Sequence, residues 1–320
     1  MRFIAALVAV LFGVVGLVVF LSVSAPVDEL PVHEVAEAGD PPAYLSGTTS
    51  RIVVSETTGR TYQISVTLPR TYDTSNETYP VLYAVDANLE FGTVVETARL
   101  MQLEGLIPEL IVVGIGYPVG TFIEALAPRA VDLTPTEDRG FQERAAVAEA
   151  KADRPVHEGN GGAPGFLRFV REELIPSIEA EYRADPRGRA LYGHSFGGLF
   201  AFYSLLEGEG TFHRFIVGSP SLWWDQGVSF ELEDRFAETH SALPARAFFS
   251  VGMLEDEGPN DAVPWGQLMV SNLRTLLDVL DERNYEGFEF ASHFFEDETH
   301  TSVVPATISR GLRYIYGEEQ

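Results

Sequence analysis

Gly193-His194-Ser195-Phe196-Gly197 sets a hydroxyl between two glycines, with the short apolar run Ala190-Leu191-Tyr192 before it and the helix-length run Gly198 to Leu206 after it. A strand that runs into a turn so tight that flanking β-carbons would collide, and a helix that leaves it, is the setting of a serine nucleophile. The hydroxyl then stands at the tip of the turn, facing the unpaired N–H groups and positive dipole end of the helix. A serine hydroxyl attacks poorly until a base removes its proton, so a histidine must follow. Among seven histidines, His300 in "EDETHTSVVP" falls between the last strand-like run and the last helical run, where a loop can carry an imidazole over the turn. The others lie in a linker (His33), a charged insertion (His157), the turn itself (His194), beside helices (His213, His240) or within a strand-like run (His293). An acid that orients the base is expected between serine and histidine in chain order. Met253-Leu254-Glu255-Asp256-Glu257 follows a strand-like run, at the sheet edge where catalytic groups collect. Glu255 is preferred, Asp256 is the alternative, and Asp225 and Glu298 are lesser rivals. The oxyanion of the intermediate needs two N–H donors: the backbone of Phe196, and that of Ala87 or Asn88 after "PVLYAV". The chemistry these groups imply is acyl transfer, with neither metal nor cofactor.

The elements that must hold these residues alternate along the chain. "RIVVSETTGRTYQISVTLP" reads as a hairpin turning at Thr57 to Arg60, and "PVLYAVD" and "ELIVVGIG" read as buried parallel strands. Strand-like "RALYG", "FIVGSPS", "ARAFFSVG" and "FEFASHFFE" follow. Helical segments are predicted over 93–103, 166–182, 196–207, 229–240, 264–283 and 302–316. Strands alternating with helices imply an α/β fold, a mostly parallel central sheet with helices on both faces. The Gly-rich, charged stretch from Thr134 to Pro164 is too long for an ordinary connection and is expected to be a lid, an active-site loop or an excursion.

Composition narrows the partners. With 320 residues and 45% hydrophobic content, one large domain is expected. The chain has no cysteine, which excludes disulfides, thiolate metal sites and cysteine nucleophiles. A formal net charge of -25, from 47 acidic against 22 basic residues, repels phosphate backbones and argues against nucleic-acid binding. Residues 1–24 read as a signal peptide or an N-terminal membrane anchor: Arg2 precedes an uncharged apolar run over 3–23, and Asp28, Glu29 and Glu34 follow it. This bias predicts an extracytoplasmic domain, periplasmic or secreted, in contact with a membrane only through that segment if it is retained. Residues 25–47 read as a linker and 48–320 as the catalytic domain; the oligomeric state is not legible.

"PVLYAVDAN", "RAVDLTPT", "FLRFVREELIPSIEAEYR", "GHSFGGLFAFYSLL", "SPSLWWD", "VGMLEDE" and "ETHTSVVPATISRGLRYIYG" occur in one order, and with them the chain resembles esterases of the α/β-hydrolase superfamily. That group includes esterase D-like proteins and trilactone siderophore esterases. The resemblance spans about 47–317 and implies an α/β-hydrolase fold with Ser195 as nucleophile, His300 as base and Glu255 as the third member. It also implies that Arg129 lies near the substrate; the alternative is a local pair with Asp132 or another acid. Trp223 and Trp224 either stack on an aromatic substrate or pack beneath a loop. Asp86-Ala87 departs from the family's usual Asp-Gly, which leaves the oxyanion loop open between Ala87 and Asn88. The function expected is a serine hydrolase of carboxylic esters, of siderophore type among others, acting on a small-molecule substrate through an acyl-serine. Thioester hydrolysis, acyl transfer and a surface binding protein without turnover are the alternatives.

Overall fold

The computed structural model describes residues 45–144, 159–256 and 268–317. Eight strands form one sheet: β1 (Thr48–Val54), β2 (Thr61–Thr67), β3 (Tyr79–Ala84), β4 (Ile111–Gly116), β5 (Ala184–His194), β6 (Arg214–Gly218), β7 (Ala242–Gly252) and β8 (Glu286–Phe295). Their order is β1-β2-β4-β3-β5-β6-β7-β8. The β1–β2 hairpin and the β2–β4 pair are antiparallel, and every later pairing is parallel. All six residues of β4 are buried, as in a strand covered on both faces, whereas β1 at the edge is mostly exposed.

Helices α1 (Ala87–Leu103) and α8 (Val304–Tyr316) cover one face. Their Phe91, Val94, Ala98, Ile308 and Leu312 close on Leu82, Ala84 and Tyr192. The other face is covered by α2 (Phe122–Asp132), α3 (Ala163–Phe169), α4 (Ile175–Glu181), α5 (Phe196–Glu207), α6 (Val228–Thr239) and α7 (Met269–Arg283), against Val81, Tyr83 and Leu191. Burial is so complete around α5 that every residue from Phe196 to Leu206 is inside, which accounts for a run apolar on all sides.

The chain leaves β3 into α1 on one face and leaves β5 into α5 on the other, although β3 and β5 are neighbours. Their carboxyl ends therefore flank a crevice at the topological switch point, where open α/β sheets bind ligands. Asp86 stands at one lip and Ser195 at the other.

The strands expected from the sequence are present, but three helical stretches differ. The first is α1, which begins at Ala87 rather than near Thr93 and takes Ala87 and Asn88 out of the expected loop. Helix α2 was not signalled by periodicity, because Pro128 inside it lacks the N–H that a helix interior uses. The segment expected over 166–182 is two helices joined by a π turn at Val170–Leu174, which ends two residues before Pro176. Residues 145–158 of the expected loop, and the whole segment 1–24 expected to be a signal or anchor, lie outside the described residues. Among those described, no helix is long and apolar enough to cross a membrane.

Candidate active site

Strand β5 ends at His194, and Ser195 turns the chain with φ 61° and ψ -120° before α5 begins. A non-glycine residue at positive φ outside the left-handed helical region is strained, and here the neighbours enforce it. The Ser195 N–H donates to the Gly218 carbonyl at 3.0 Å, and its own carbonyl accepts from Leu199 at 2.9 Å and Ser221 at 3.2 Å. A β-carbon on Gly193 would overlap the Gly197 carbonyl, and one on Gly198 would overlap the Gly218 carbonyl. Both positions thus require glycine for close approach. The result is an elbow that presents the Ser195 side chain to the crevice.

His300 lies in the loop between β8 and α8, as the sequence predicts, and its Nδ1 is 2.6 Å from Glu255 Oε2. The carboxylate is 1% exposed and the imidazole 40%. Two further donors fix the acid through Oε1: the Ser219 hydroxyl at 2.6 Å and the Gly252 N–H at 2.7 Å. With Nδ1 donating to the carboxylate, Nε2 is the nitrogen left to take a proton. Asp256 is engaged elsewhere: it accepts from the Val270 and Ser271 N–H groups at the start of α7, at 2.8 and 3.2 Å. Glu255 and not Asp256 therefore reaches His300. Asp225 accepts from Thr136 and Glu298 from Ser302, and neither is bonded to the imidazole.

Ser195 and His300 line one cavity of about 430 Å³ together with Asp86, Glu90, Phe122, Arg129, His194 and Val304. His194 is fully enclosed beneath His300, with ring centroids 4.7 Å apart. Burial, reinforced by the charge of His300, holds the His194 imidazole well below its ordinary pKa, so it stays neutral. At the opposite lip Asp86 adopts φ 55° and starts α1, where the Leu89 and Glu90 N–H groups close on its carbonyl. Ala87 and Asn88 occupy the first helical positions, whose N–H groups have no acceptor within the helix. The Asn88 side chain is tied to Tyr117 by Nδ2 donating to the carbonyl at 2.9 Å and the Tyr117 N–H donating to Oδ1 at 2.8 Å.

Arg129 pairs with Asp86 and not with Asp132. Nε donates to Oδ1 at 2.7 Å and Nη2 to Oδ2 at 2.6 Å, a two-pronged bond across the crevice floor. Burial works against the guanidinium charge, but Asp86 outweighs it and holds the arginine above its ordinary pKa. Nη1 has no acceptor among the described residues, and the guanidinium carbon lies 5.2 Å from the Phe196 ring centroid. The tryptophans are not brought to this cavity. Trp224 is fully buried, its indole N–H donating to the Thr136 carbonyl at 3.2 Å, and both rings pack on Phe141 and Phe196. Of the two alternatives, stacking on substrate is corrected for Trp224 and packing beneath the loop is the one observed: its ring lies against Phe141 and Phe196.

Ser219 and Glu90 are absent from the sequence reading. Ser219 could have been found in "GSPS", the end of a strand next to the one that carries Glu255. Glu90 carries no such signal.

Comparison with known proteins adds four findings. The family described as "Putative esterase" matches residues 55–300. The chain is 33% identical over 276 residues to the ferri-bacillibactin esterase BesA of Bacillus subtilis, covering 84% of this chain and 90% of that one. It is 28% identical over 288 residues to the siderophore triacetylfusarinine C esterase of Aspergillus fumigatus, covering 81% and 89%. Among solved structures, the IroE-like serine hydrolase of Shewanella oneidensis superimposes with a TM-score of 0.71 at 25% identity, over 84% of this chain and 80% of that one.

Proposed function

The chain belongs to this esterase family and is a carboxylic ester hydrolase of α/β-hydrolase fold, and from that premise we propose that Ser195, His300 and Glu255 perform the hydrolysis. The observation that carries the proposal is the Glu255–His300 bond, made at 2.6 Å in the loop that shares a cavity with the strained Ser195 elbow. His300 Nε2 takes the Ser195 proton as the hydroxyl oxygen attacks the ester carbonyl. The oxyanion is held by the Phe196 N–H and by an N–H at the start of α1. The second donor is Ala87 or Asn88, the two residues whose N–H groups open α1. Collapse expels the alcohol, which takes its proton from His300, and a water activated by the same imidazole releases the acid from Ser195.

For the substrate, we propose a siderophore-type ester. The names of the two curated relatives support this, and so does the floor of the cavity, where the unengaged Nη1 of Arg129 can meet a catecholate or carboxylate oxygen. A cavity of about 430 Å³ suits one acyl arm of a branched ester. The test compares a catecholate trilactone with a neutral short-chain aryl ester, for wild type and Arg129→Ala, beside melting curves. A KM raised about tenfold or more on the trilactone, with the neutral ester little changed, is expected. Equal losses on both together with a large fall in melting temperature would reduce Arg129 to the structural partner of Asp86.

The location remains a proposal of the same kind. Arg2 before the apolar run 3–23 and acids after it support an extracytoplasmic domain, and a C-terminal reporter active only in the cytoplasm would refute it.

A further inference from the structure

Glu90 is an acid in the cavity wall that the acyl-transfer steps do not use. It sits on the first turn of α1, is 4% exposed, and lines the cavity that holds Ser195 and His300. The Tyr192 hydroxyl of β5 donates to Oε2 at 2.7 Å, and no other hydrogen bond engages the carboxyl among the described residues. The charged and titratable groups that share this wall are Asp86 at the head of α1, Arg129 from α2, Tyr192 and His194 from β5, and His300 from the loop before α8. Val304 and Pro305, which α8 contributes, are apolar. Arg129 is bonded to Asp86, and among the described residues no cation pairs with Glu90 directly. Burial, then the charge of Asp86, outweigh the Tyr192 hydrogen bond and Arg129 and push the carboxyl from 4.5 up to about 8. At neutral pH it is therefore an uncharged acid. With Oε2 accepting from Tyr192, its proton is left for the other oxygen, and the cavity is where a partner can enter.

We propose that Glu90 is a specificity residue of the acyl pocket: as the neutral acid it donates a hydrogen bond to an oxygen of the substrate's acyl group, and once ionised it turns the pocket against anionic esters. Donation to a phenolate or carboxylate oxygen is charge-assisted and strong, whereas two like charges in so dry a site repel. A neutral alkyl ester meets neither effect. This inference rests on the ester-hydrolase reading and not on the siderophore assignment.

The test measures kcat/KM for mono-p-nitrophenyl succinate, whose acyl chain ends in a carboxylate, and for p-nitrophenyl butyrate, which is neutral. Alkaline effects common to both esters cancel in the ratio of the two values. Between about pH 7 and about pH 9, titration of one group near 8 lowers the wild-type ratio about tenfold. In Glu90→Gln, which cannot ionise, the ratio stays flat. Tyr192→Phe provides a second route should the first variant fold poorly. It removes the donor that favours the ionised form, so its fall in the ratio moves to higher pH. A flat ratio in the wild type, or an unchanged fall in Glu90→Gln, overturns the role of Glu90 while the hydrolase stands. No turnover of either ester by the wild type would bring down the hydrolase reading, and this inference with it.

Discussion

In the proposed chemistry Ser195, His300 and Glu255 act as a unit, so their removal is not additive. Ser195→Ala and His300→Ala are each expected to lower kcat by about 10⁴-fold or more, and Glu255→Gln by somewhat less, with melting temperatures near that of the wild type. In Glu255→Gln the Ser219 and Gly252 donors keep the amide oxygen, so the NH2 faces His300 Nδ1 and selects the wrong tautomer, while nucleophile and base themselves remain. Retention of activity by folded Ser195→Ala would show that the nucleophile lies elsewhere. The sequence singles out these three because each sits at a local junction, Ser195 between strand and helix, Glu255 and His300 just beyond strands. Glu90 was not readable, because in the sequence it is an ordinary first-turn acid. Its burial and its partner come from Tyr192, 102 residues away, which only the packing of α1 on the sheet brings together. Arg129 shows the same limit: its side chain pairs with Asp86, 43 residues back, rather than with nearby Asp132.

The elbow is the element on which the site depends. Gly193→Ala would drive a β-carbon into the carbonyl of Gly197, so strand β5 and helix α5 would have to separate at the point where Ser195 is aimed. We expect this variant to lose stability by about 1–3 kcal/mol and activity by more than stability alone explains. Thermal denaturation beside kcat/KM measures both, and a fully active, equally stable variant would contradict the close packing described. The strand-turn-helix of the elbow was legible because apolar runs and glycines are local signals. Helix α2 was not: Pro128 in its interior and a mixed apolar face obscure its period, and what stabilises it is tertiary, the bond of Arg129 across the crevice and the contacts of Ala125 and Ala130 with the core. The rule that places catalytic groups beyond parallel strands served better than helix periodicity, since it depends on strand order rather than on one segment.

At the scale of the whole molecule, the buried Glu90 links stability to pH. Its carboxyl is raised from 4.5 to about 8 in the fold, so an unfolded chain releases its proton at lower pH than the folded one does. The stability associated with the neutral acid is therefore fully present below 4.5 and is lost as pH rises through about 8. Glu90→Gln should gain in melting temperature relative to wild type by several degrees, about 5 °C, as pH goes from about 5 to about 9. A constant difference across that range would mean that Glu90 does not stay neutral in the fold. Fold class and strand sequence were legible at this scale, since alternating runs leave few alternatives, whereas the pairing of α1 and α8 on one face was not. The account as a whole turns on one nucleophile, and a fluorophosphonate probe tests it most directly. Intact-mass and peptide mapping of the treated protein should find a single adduct on Ser195, formed in step with loss of esterase activity and absent from Ser195→Ala. An adduct at another residue that tracks the loss of activity, or equal labelling of Ser195→Ala, would contradict it.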